Sequence, residues 1–272
     1  MPELPEVETT RAGLAPYIVG QRVRTVRVRQ SQLRWPVTPT LAEDLPGQTL
    51  TAVRRRAKYL LFDTARGSVC LHLGMSGRLR IVPAAIEPTR HDHVDIVFEN
   101  DMAMRFNDAR RFGSIFWLPG DSAGAFSLLS ALGPEPFDAD FDGDWLYRTA
   151  RGRQAAVKTL IMDQRTVVGV GNIYASEALH AAGIHPRRPA RRIGRSRYDV
   201  LATAICETLA AAIRAGGTTL RDYIGVDGAT GYFQLDLAVY GRDGKLCPRG
   251  CGPIRSEVIS QRNTYYCPVC QR

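Results

Sequence analysis

Alternation of apolar and polar positions dominates the first part of the chain. The stretches RVRTVRVRQ (22–30), LTAVRRRAKYLLFDT (50–64), SVCLHLGM (68–75), GRLRIV (77–82), HVDIVF (93–98) and AMRFND (103–108) carry the two-residue period of half-buried strands. Turn residues separate them and no helix alternates with them. The pattern predicts an antiparallel sandwich or barrel and argues against βαβ units. A short leading helix is predicted over residues 5–14. Pro5 takes its first position, Glu6 and Glu8 sit in its positive first turn, and Gly13 and Pro16 end it. Beyond Trp117 the chain turns rich in Gly, Pro, Ser and Asp, and residues 118–140 read as a linker with one helical turn. From Asp144 the spacing becomes three and four. DWLYRTARGRQAAVKTLIMDQ (144–164), NIYASEALHAAG (172–183) and SRYDVLATAICETLAAAIRAGG (196–217) read as helices. The last 35 residues return to strands and turns. No long internal repeat is visible. The expected class is α+β, with an N-terminal sandwich and its leading helix (1–133), a helical domain (134–236) and a C-terminal hairpin (237–272).

Six cysteines sharpen the last segment. Cys247 and Cys251 stand in CPRGC, Cys267 and Cys270 in CPVC, with fifteen residues between the pairs. Two such knuckles at this distance predict a tetrahedral four-cysteine zinc site. Disulfides are the competing reading, and an intracellular chain disfavours them. Four thiolates fill the coordination sphere, so one structural Zn2+ per chain is expected and no catalytic water. GPIRSEVISQRNTYY between the knuckles reads as a β-hairpin with its turn at 261–263. Cys70 and Cys206 lie in apolar surroundings and read as core.

Charge changes the functional picture. The 272 residues carry a net charge of +9, a balance that points to a polyanionic partner, nucleic acid first. The basic run RRPARRIGRSR (187–197) reads as a solvated loop between helices. No apolar run reaches the roughly 18 residues of a membrane span. The N-terminus carries glutamates where a signal peptide has a basic stretch. A soluble, cytoplasmic protein is expected. Of 36 basic residues only Lys58, Lys158 and Lys245 are lysines. An amine gives up a proton near neutral pH when its surroundings help, whereas a guanidinium does not.

Two local features suggest chemistry. VVGVGNIYASEALHAAG holds Gly169, Gly171 and Asn172 before a helix. A dinucleotide fingerprint is rejected because Tyr174 takes the third glycine position and no βαβ unit surrounds it. A tight turn presenting a helix N-terminus to a phosphate remains, against a plain capped helix. The helix start explains Pro5, Glu6 and Glu8 in MPELPEVETT but not Pro2 and Glu3. Removal of Met1 makes Pro2 a free secondary amine. An α-amino group has a pKa of about 7.7–8.0, so roughly a tenth of it is neutral at pH 7. Such an amine attacks a sugar carbon and forms an iminium ion, with Glu3 beside it to exchange protons.

These motifs together resemble the bacterial formamidopyrimidine-DNA glycosylases, also called 8-oxoguanine DNA glycosylases. The resemblance runs through PELPEVET, RRAKYLL around Lys58, HLGMSG (72–77), HDHVD (91–95), DARRFG (108–113), GPEP (133–136), VVGVGNIYASEALHAAGIHP (167–186), GGTTLRDY (216–223) and the four-cysteine hairpin. It implies a β-sandwich, then a helix–two-turn–helix domain and a zinc hairpin. It further implies a bifunctional DNA glycosylase and abasic-site lyase of base-excision repair. Such an enzyme flips an oxidised purine out of duplex DNA. Pro2 attacks C1′, Glu3 protonates the opening sugar, and β- then δ-elimination follow, with Lys58 matched to the first step and Arg262 to the second. His91, Arg110, Arg153 and Asn172 match DNA-contacting positions. Met75, Arg110 and Phe112 match residues that fill the gap left by the flipped nucleotide, where an apolar wedge supports unstacked neighbours. A monomer associated with the bacterial nucleoid is implied. GVDGATGYF (225–233) suits a lid over the flipped base. The chain departs from the family in its C-x3-C first knuckle and in Ala109, where proline is frequent. Two other readings are an endonuclease VIII-like enzyme for oxidised pyrimidines and a non-catalytic zinc DNA-binding protein. PELPEV disfavours the former, and the latter leaves Pro2, Glu3 and Lys58 unexplained.

Overall fold

The computed structural model describes residues 2–124, 126–216 and 237–272. These residues form two compact units, 2–130 with 213–216, and 131–212 with 237–272.

The first unit opens with helix α1 (Leu4–Ile18), followed by β1 (Val23–Val28), the single turn α2 (Leu41–Asp44), β2 (Ala52–Arg56), β3 (Tyr59–Thr64), β4 (Gly67–His72), β5 (Arg78–Pro83), β6 (Asp92–Phe98), β7 (Met102–Asn107), β8 (Ser114–Pro119) and the short α3 (Ser127–Ser130). The strands make two four-stranded antiparallel sheets, ordered β1-β6-β7-β5 and β2-β3-β4-β8. Their inner faces share one core. Leu79, Ile81, Val94, Ile96, Phe98, Met104 and Phe106 come from the first sheet, and Val53, Leu60, Phe62, Val69, Leu71, Ile115 and Trp117 from the second. The sandwich predicted from alternation is therefore present. Val7, Leu14 and Ile18 close the core from α1.

The leading helix is longer than predicted. It runs through Gly13 and Pro16 to Ile18, because Leu14 and Ile18 are fully buried and hold the last turn against the core. The run 50–64 is two strands, with β2 and β3 paired up to Arg56↔Tyr59. Strand β8, whose residues do not alternate, adds an edge, so the predicted linker 118–140 begins inside it. The one helical turn expected there is α3.

The outer face of the first sheet is not a solvated face. Asp95 accepts Arg105 Nε and Nη2, both at 2.9 Å, and Arg29 Nη2 at 2.5 Å. Asp92 accepts Arg80 at 3.0 Å, Asn107 at 2.8 Å and the Thr89 N–H at 2.7 Å. Arg105 also donates to the carbonyl of Ile86 at 2.9 Å and is 2% exposed. This ionic layer holds the loop between β5 and β6 over the sheet.

The second unit contains α4 (Gly143–Ala150), α5 (Val157–Met162), α6 (Asn172–Ala181), a 3-10 turn (Ala190–Arg192), the long α7 (Arg195–Gly216, whose last residues fall in the first unit) and the hairpin β9 (Arg255–Ile259) and β10 (Arg262–Tyr266). The predicted helix 144–164 is two helices. Arg151 ends α4 and Gly152 takes φ 74°, which turns the chain before α5. The basic run 187–197 holds the 3-10 turn and the start of α7. It is only partly a solvated loop, since Arg187 pairs with Glu257 and Arg197 donates to Gly183 O at 2.8 Å. Leu146, Ile161, Tyr174, Leu179, Tyr198 and Leu201 form the core. The hairpin turns at Ser260 and Gln261, with φ 48° and 60°, the two positive values of a tight hairpin turn. Arg262 and Asn263 therefore belong to β10 and not to the turn. The predicted loop 225–233 lies outside the described residues, as does Met1.

Candidate active site

Pro2 and Glu3 stand at the start of α1. Glu3 caps the helix, and its N–H donates to Glu6 Oε2 at 2.7 Å while its carbonyl accepts the Val7 N–H at 3.2 Å. Glu3 is 2% exposed, whereas Pro2 is half-buried. The first turn thus holds the Glu3 carboxyl out of bulk water beside Pro2.

Lys58 is buried in the two-residue turn between β2 and β3. His72, at the end of β4, lies in its field. Burial, Lys58 and Arg34 in that order push the imidazole down to about 4, so it is neutral at working pH. Its Nδ1 accepts the Gly74 N–H at 2.9 Å, which leaves the proton on Nε2. Sequence reasoning missed His72, although HLGMSG contains it. The available signal was its alternation in register with Tyr59, whose ring stands 4.8 Å from it.

Met75 and Phe112 are exposed on adjacent loops of the same unit. The loops touch backbone to backbone, because a Cβ at Gly74 would lie 2.3 Å from the Phe112 carbonyl carbon. Asp108 closes the second loop. Its Oδ1 accepts the Ser76 hydroxyl at 2.5 Å and its Oδ2 accepts the Gly113 N–H at 2.7 Å. The loop is therefore held by Asp108, whatever residue stands at 109. Arg110 is exposed, with its guanidinium carbon 4.7 Å above the Phe112 ring, a cation–π stack. His91 joins this region through its carbonyl, which accepts the Asp108 N–H at 3.0 Å. His93 Nε2 sits 2.7 Å from the Asp108 carbonyl. Met75, Arg110 and Phe112 are thus brought together, with His91 tied to their base.

In the second unit, the turn before α6 is braced by Gln164, which accepts the Gly169 N–H at 2.9 Å and donates to Val170 O at 3.1 Å. Asn172 opens α6. Its side chain accepts Lys158 Nζ at 2.6 Å and donates to Asn263 O at 2.9 Å, and Lys158 also donates to Thr264 Oγ1 at 2.6 Å. Lys158, 1% exposed, thereby joins α5, α6 and β10. It is a second residue that the predicted site omitted, and the scarcity of lysine was its signal. Arg153 and Arg262 line one cavity of about 370 Å³ with Lys158, Asp163 and Ser260. Arg153 also approaches Asp163 at 3.9 Å.

The sulfurs of Cys247, Cys251, Cys267 and Cys270 lie within 4.8 Å of one another, with two separations of 3.4 and 3.9 Å. A tetrahedral ion held at about 2.3 Å by thiolates spaces them about 3.8 Å apart, so the four fit such an ion. The three-residue first knuckle is accommodated by Gly250 at φ 70°, whose N–H donates to Cys247 O at 2.8 Å. Of the other two cysteines, Cys70 is buried and Cys206 half-buried, with its thiol donating to Pro136 O at 2.8 Å.

Comparison with known proteins identifies the family and the fold. Residues 1–115 match the formamidopyrimidine-DNA glycosylase N-terminal domain, and residues 132–223 match the formamidopyrimidine-DNA glycosylase H2TH domain. The chain is 57% identical to the formamidopyrimidine-DNA glycosylase of Alkalilimnicola ehrlichii and 56% identical to that of Stenotrophomonas maltophilia, covering 100% of each chain. Its fold is similar to a Lactococcus lactis formamidopyrimidine-DNA glycosylase mutant in complex with Fapy-dG-containing DNA (TM-score 0.90, 34% identity, 100% of both chains). It is also similar to the Lactococcus lactis enzyme bound non-covalently to abasic-site DNA (TM-score 0.88, 33% identity, 99% of both chains).

Proposed function

The chain belongs to the formamidopyrimidine-DNA glycosylase family, the DNA-binding glycosylase–lyases of base-excision repair, and from that membership we propose how its residues divide the reaction. The substrate is an oxidised purine, 8-oxoguanine or a formamidopyrimidine, in duplex DNA. In a chain that has lost Met1, the Pro2 nitrogen bonds to C1′. The glycosidic bond breaks and its electron pair leaves with the base, which takes up the proton lost from the Pro2 nitrogen. Glu3 gives its proton to the ring oxygen as the sugar opens, which leaves an iminium ion between Pro2 and C1′. Loss of a C2′ proton expels the 3′ phosphate, the step given to Lys58. A second elimination, given to Arg262, expels the 5′ phosphate and leaves a one-nucleotide gap. The observation that carries this reading is Glu3 itself, 2% exposed directly after Pro2 and fixed at the cap of α1.

The other roles follow from the family motifs that these residues match. Met75 and Phe112 fill the space vacated by the flipped nucleotide, and Arg110, stacked on Phe112, faces the unpaired base. His91, Arg153 and Asn172 contact the backbone. One Zn2+ held by Cys247, Cys251, Cys267 and Cys270 is structural, since it has four protein ligands, and it tethers the strand that carries Arg262. Residues 1–133 supply the nucleophile, 134–236 grip the phosphates and 237–272 carry the zinc hairpin. The enzyme works as a monomer in the cytoplasm.

Borohydride reduction of the iminium tests the assignment. It must link DNA to the N-terminal peptide, and a protein with one residue added before Pro2 must bind lesion DNA yet neither cut nor trap. An amide nitrogen has no available lone pair, so native cutting by the extended protein places the nucleophile elsewhere.

A further inference from the structure

The turn that presents Lys58 has no turn chemistry of its own. Ala57 and Lys58 make the whole connection between β2 and β3, and Ala57, buried, takes φ 54°. An L side chain adopts this left-handed conformation only where its surroundings hold it, and such strain gathers at functional sites. Arg55 braces it. Its Nη1 donates to the Ala57 carbonyl at 3.0 Å, and its Nε donates to Glu8 Oε2 at 3.0 Å. Glu8 stands on α1, five residues after Glu3. Its other oxygen accepts Arg11 Nε at 2.8 Å and Nη2 at 2.7 Å, and Arg11 Nη1 reaches the Val53 carbonyl on β2 at 3.4 Å. Charge-assisted bonds thus run without a break from the helix that carries Pro2 and Glu3 to the carbonyl just before Lys58.

A solvated ion pair could not hold a strained turn, since exposed pairs contribute little. Here the side chains of Arg55 and Glu8 are 11% and 21% exposed, and one acceptor is the carbonyl of the strained residue. The guanidinium is planar and offers several fixed donors, so it serves a carboxylate and a carbonyl at once.

We propose that Arg55 and Glu8 are positioning residues that lock the N-terminal helix to the Ala57–Lys58 turn, fixing the Pro2 amine and the Lys58 ammonium relative to each other for attack and elimination. This inference rests on the reading of Pro2 and Lys58 given above. Neither Arg55 nor Glu8 touches the reacting atoms in this mechanism. Their effect is on the placement of groups that do, where a displacement of about 1 Å costs up to a hundredfold in rate.

The test uses the full chain with Met1 removed. Arg55→Met keeps the packing of the stem and removes the donors. Single-turnover cutting at a preformed abasic site should slow by about tenfold or more. Affinity for duplex DNA carrying an uncleavable abasic analogue should stay at its wild-type value, while the melting temperature falls because Glu8 and the Ala57 carbonyl lose a donor. Adding Ala57→Gly should recover most of the lost rate, because glycine holds a positive φ without a clamp. A residue that merely stabilises the fold would not be rescued by a second, cavity-forming change. Glu8→Gln should slow cutting in the same direction, and the Glu8→Gln/Arg55→Met protein should be no slower than Arg55→Met alone, as for groups acting as one unit. Wild-type cutting by Arg55→Met overturns the inference, as does a loss that Ala57→Gly leaves in place. If Arg55→Met does not fold, Glu8→Gln decides alone, and a wild-type rate there overturns it. Borohydride mapping on the wild-type protein is read first. An adduct away from the N-terminal peptide sinks the reading of Pro2, whereas an adduct there with an unimpaired Arg55→Met protein sinks only the positioning role.

Discussion

Glu177, on the buried side of α6, is the acceptor on which the return of the chain to its C-terminal hairpin depends. Its Oε2 accepts the Ala238 N–H at 2.7 Å, and its Oε1 accepts those of Val239 and Tyr240 at 3.0 and 2.8 Å. The residue is 8% exposed. Glu177→Ala leaves three amides without their acceptor. A stranded buried donor costs about 1–3 kcal/mol, more where the lost partner was charged. Water entering the space freed by the side chain offsets part of this, and a net loss of about 3–5 kcal/mol is expected. Glu177→Gln separates charge from shape. Its one remaining oxygen still serves Val239 and Tyr240, but its amide turns a donor toward the Ala238 donor, so the loss falls to about 1–3 kcal/mol. Urea unfolding gives the totals. Hydrogen exchange at residues 238–240 locates them, since exchange there should quicken before that of the sandwich strands. A Gln variant with wild-type stability and unchanged protection at 238–240 would show that the three bonds hold nothing.

Three other expectations follow from the same reasoning. Burial alone would raise the carboxyls of Asp92 and Asp95. The Asn107 and Thr89 hydrogen bonds with Arg80 (for Asp92), and Arg29 with Arg105 (for Asp95), outweigh it and hold both below the ordinary range. Their contribution to stability is therefore present above about pH 4 and lost as pH falls below it; thermal melts should show a shallower acid decline in Asp95→Asn, and an equal decline refutes it. Gly74→Ala puts a methyl 2.3 Å from backbone at φ 67° and should cost about 2–4 kcal/mol; a variant that unfolds at the wild-type urea midpoint contradicts the packing of the two loops. Cys267→Ser should lose the bound zinc, measured by elemental analysis, and lose DNA affinity with it as the Arg262 strand comes free; a zinc-free protein that binds lesion DNA normally rules out the tether.

What the sequence shows, and what it hides, divides by the range of the interaction. The four-cysteine cluster is legible because its members fall in two close pairs along the chain, and the sandwich is legible because its core faces recur every second residue. Strand β6 shows the limit. Alternation over 93–98 puts His93 and Asp95 on its polar face, yet all seven residues of β6 are buried, because Arg29 just after β1, Arg80 on β5 and Arg105 on β7 pair with Asp92 and Asp95. The partners of Asp95 lie 66 and 10 positions away, and no local pattern reveals them. The β2–β3 turn is hidden for a similar reason. Ala57–Lys58 carries none of the Asn-Gly or Asp-Gly signal that marks hairpins, since Arg55 supplies from outside the conformation that glycine would supply from within. The C-terminal hairpin is displaced by a single residue in the sequence reading, because Ser260 and Gln261 are not strong turn formers either. That shift moves Arg262 from a turn into a strand, where alternation and not turn geometry sets the direction of its side chain.

The choice between lysine and arginine carries information that composition alone leaves open. Against a background of 33 arginines among 36 basic residues, a lysine that serves only as a charge has little reason to persist. Lys245 is exposed, but Lys58 and Lys158 are 7% and 1% exposed. At Lys158 the geometry supplies the reason. Two acceptors from different elements, Asn172 Oδ1 and Thr264 Oγ1, converge on one nitrogen at 2.6 Å each. A compact ammonium with three rotatable donors meets both, whereas a planar guanidinium carries its donors on separate atoms and needs more room. At Lys58 three arginines stand immediately before the turn, at 54–56, so positive charge is already present there. What an ammonium adds is a proton it can release. The same contrast explains why the clamp beside it is Arg55, since holding a carboxylate and a carbonyl in fixed directions takes a planar fork and no proton transfer.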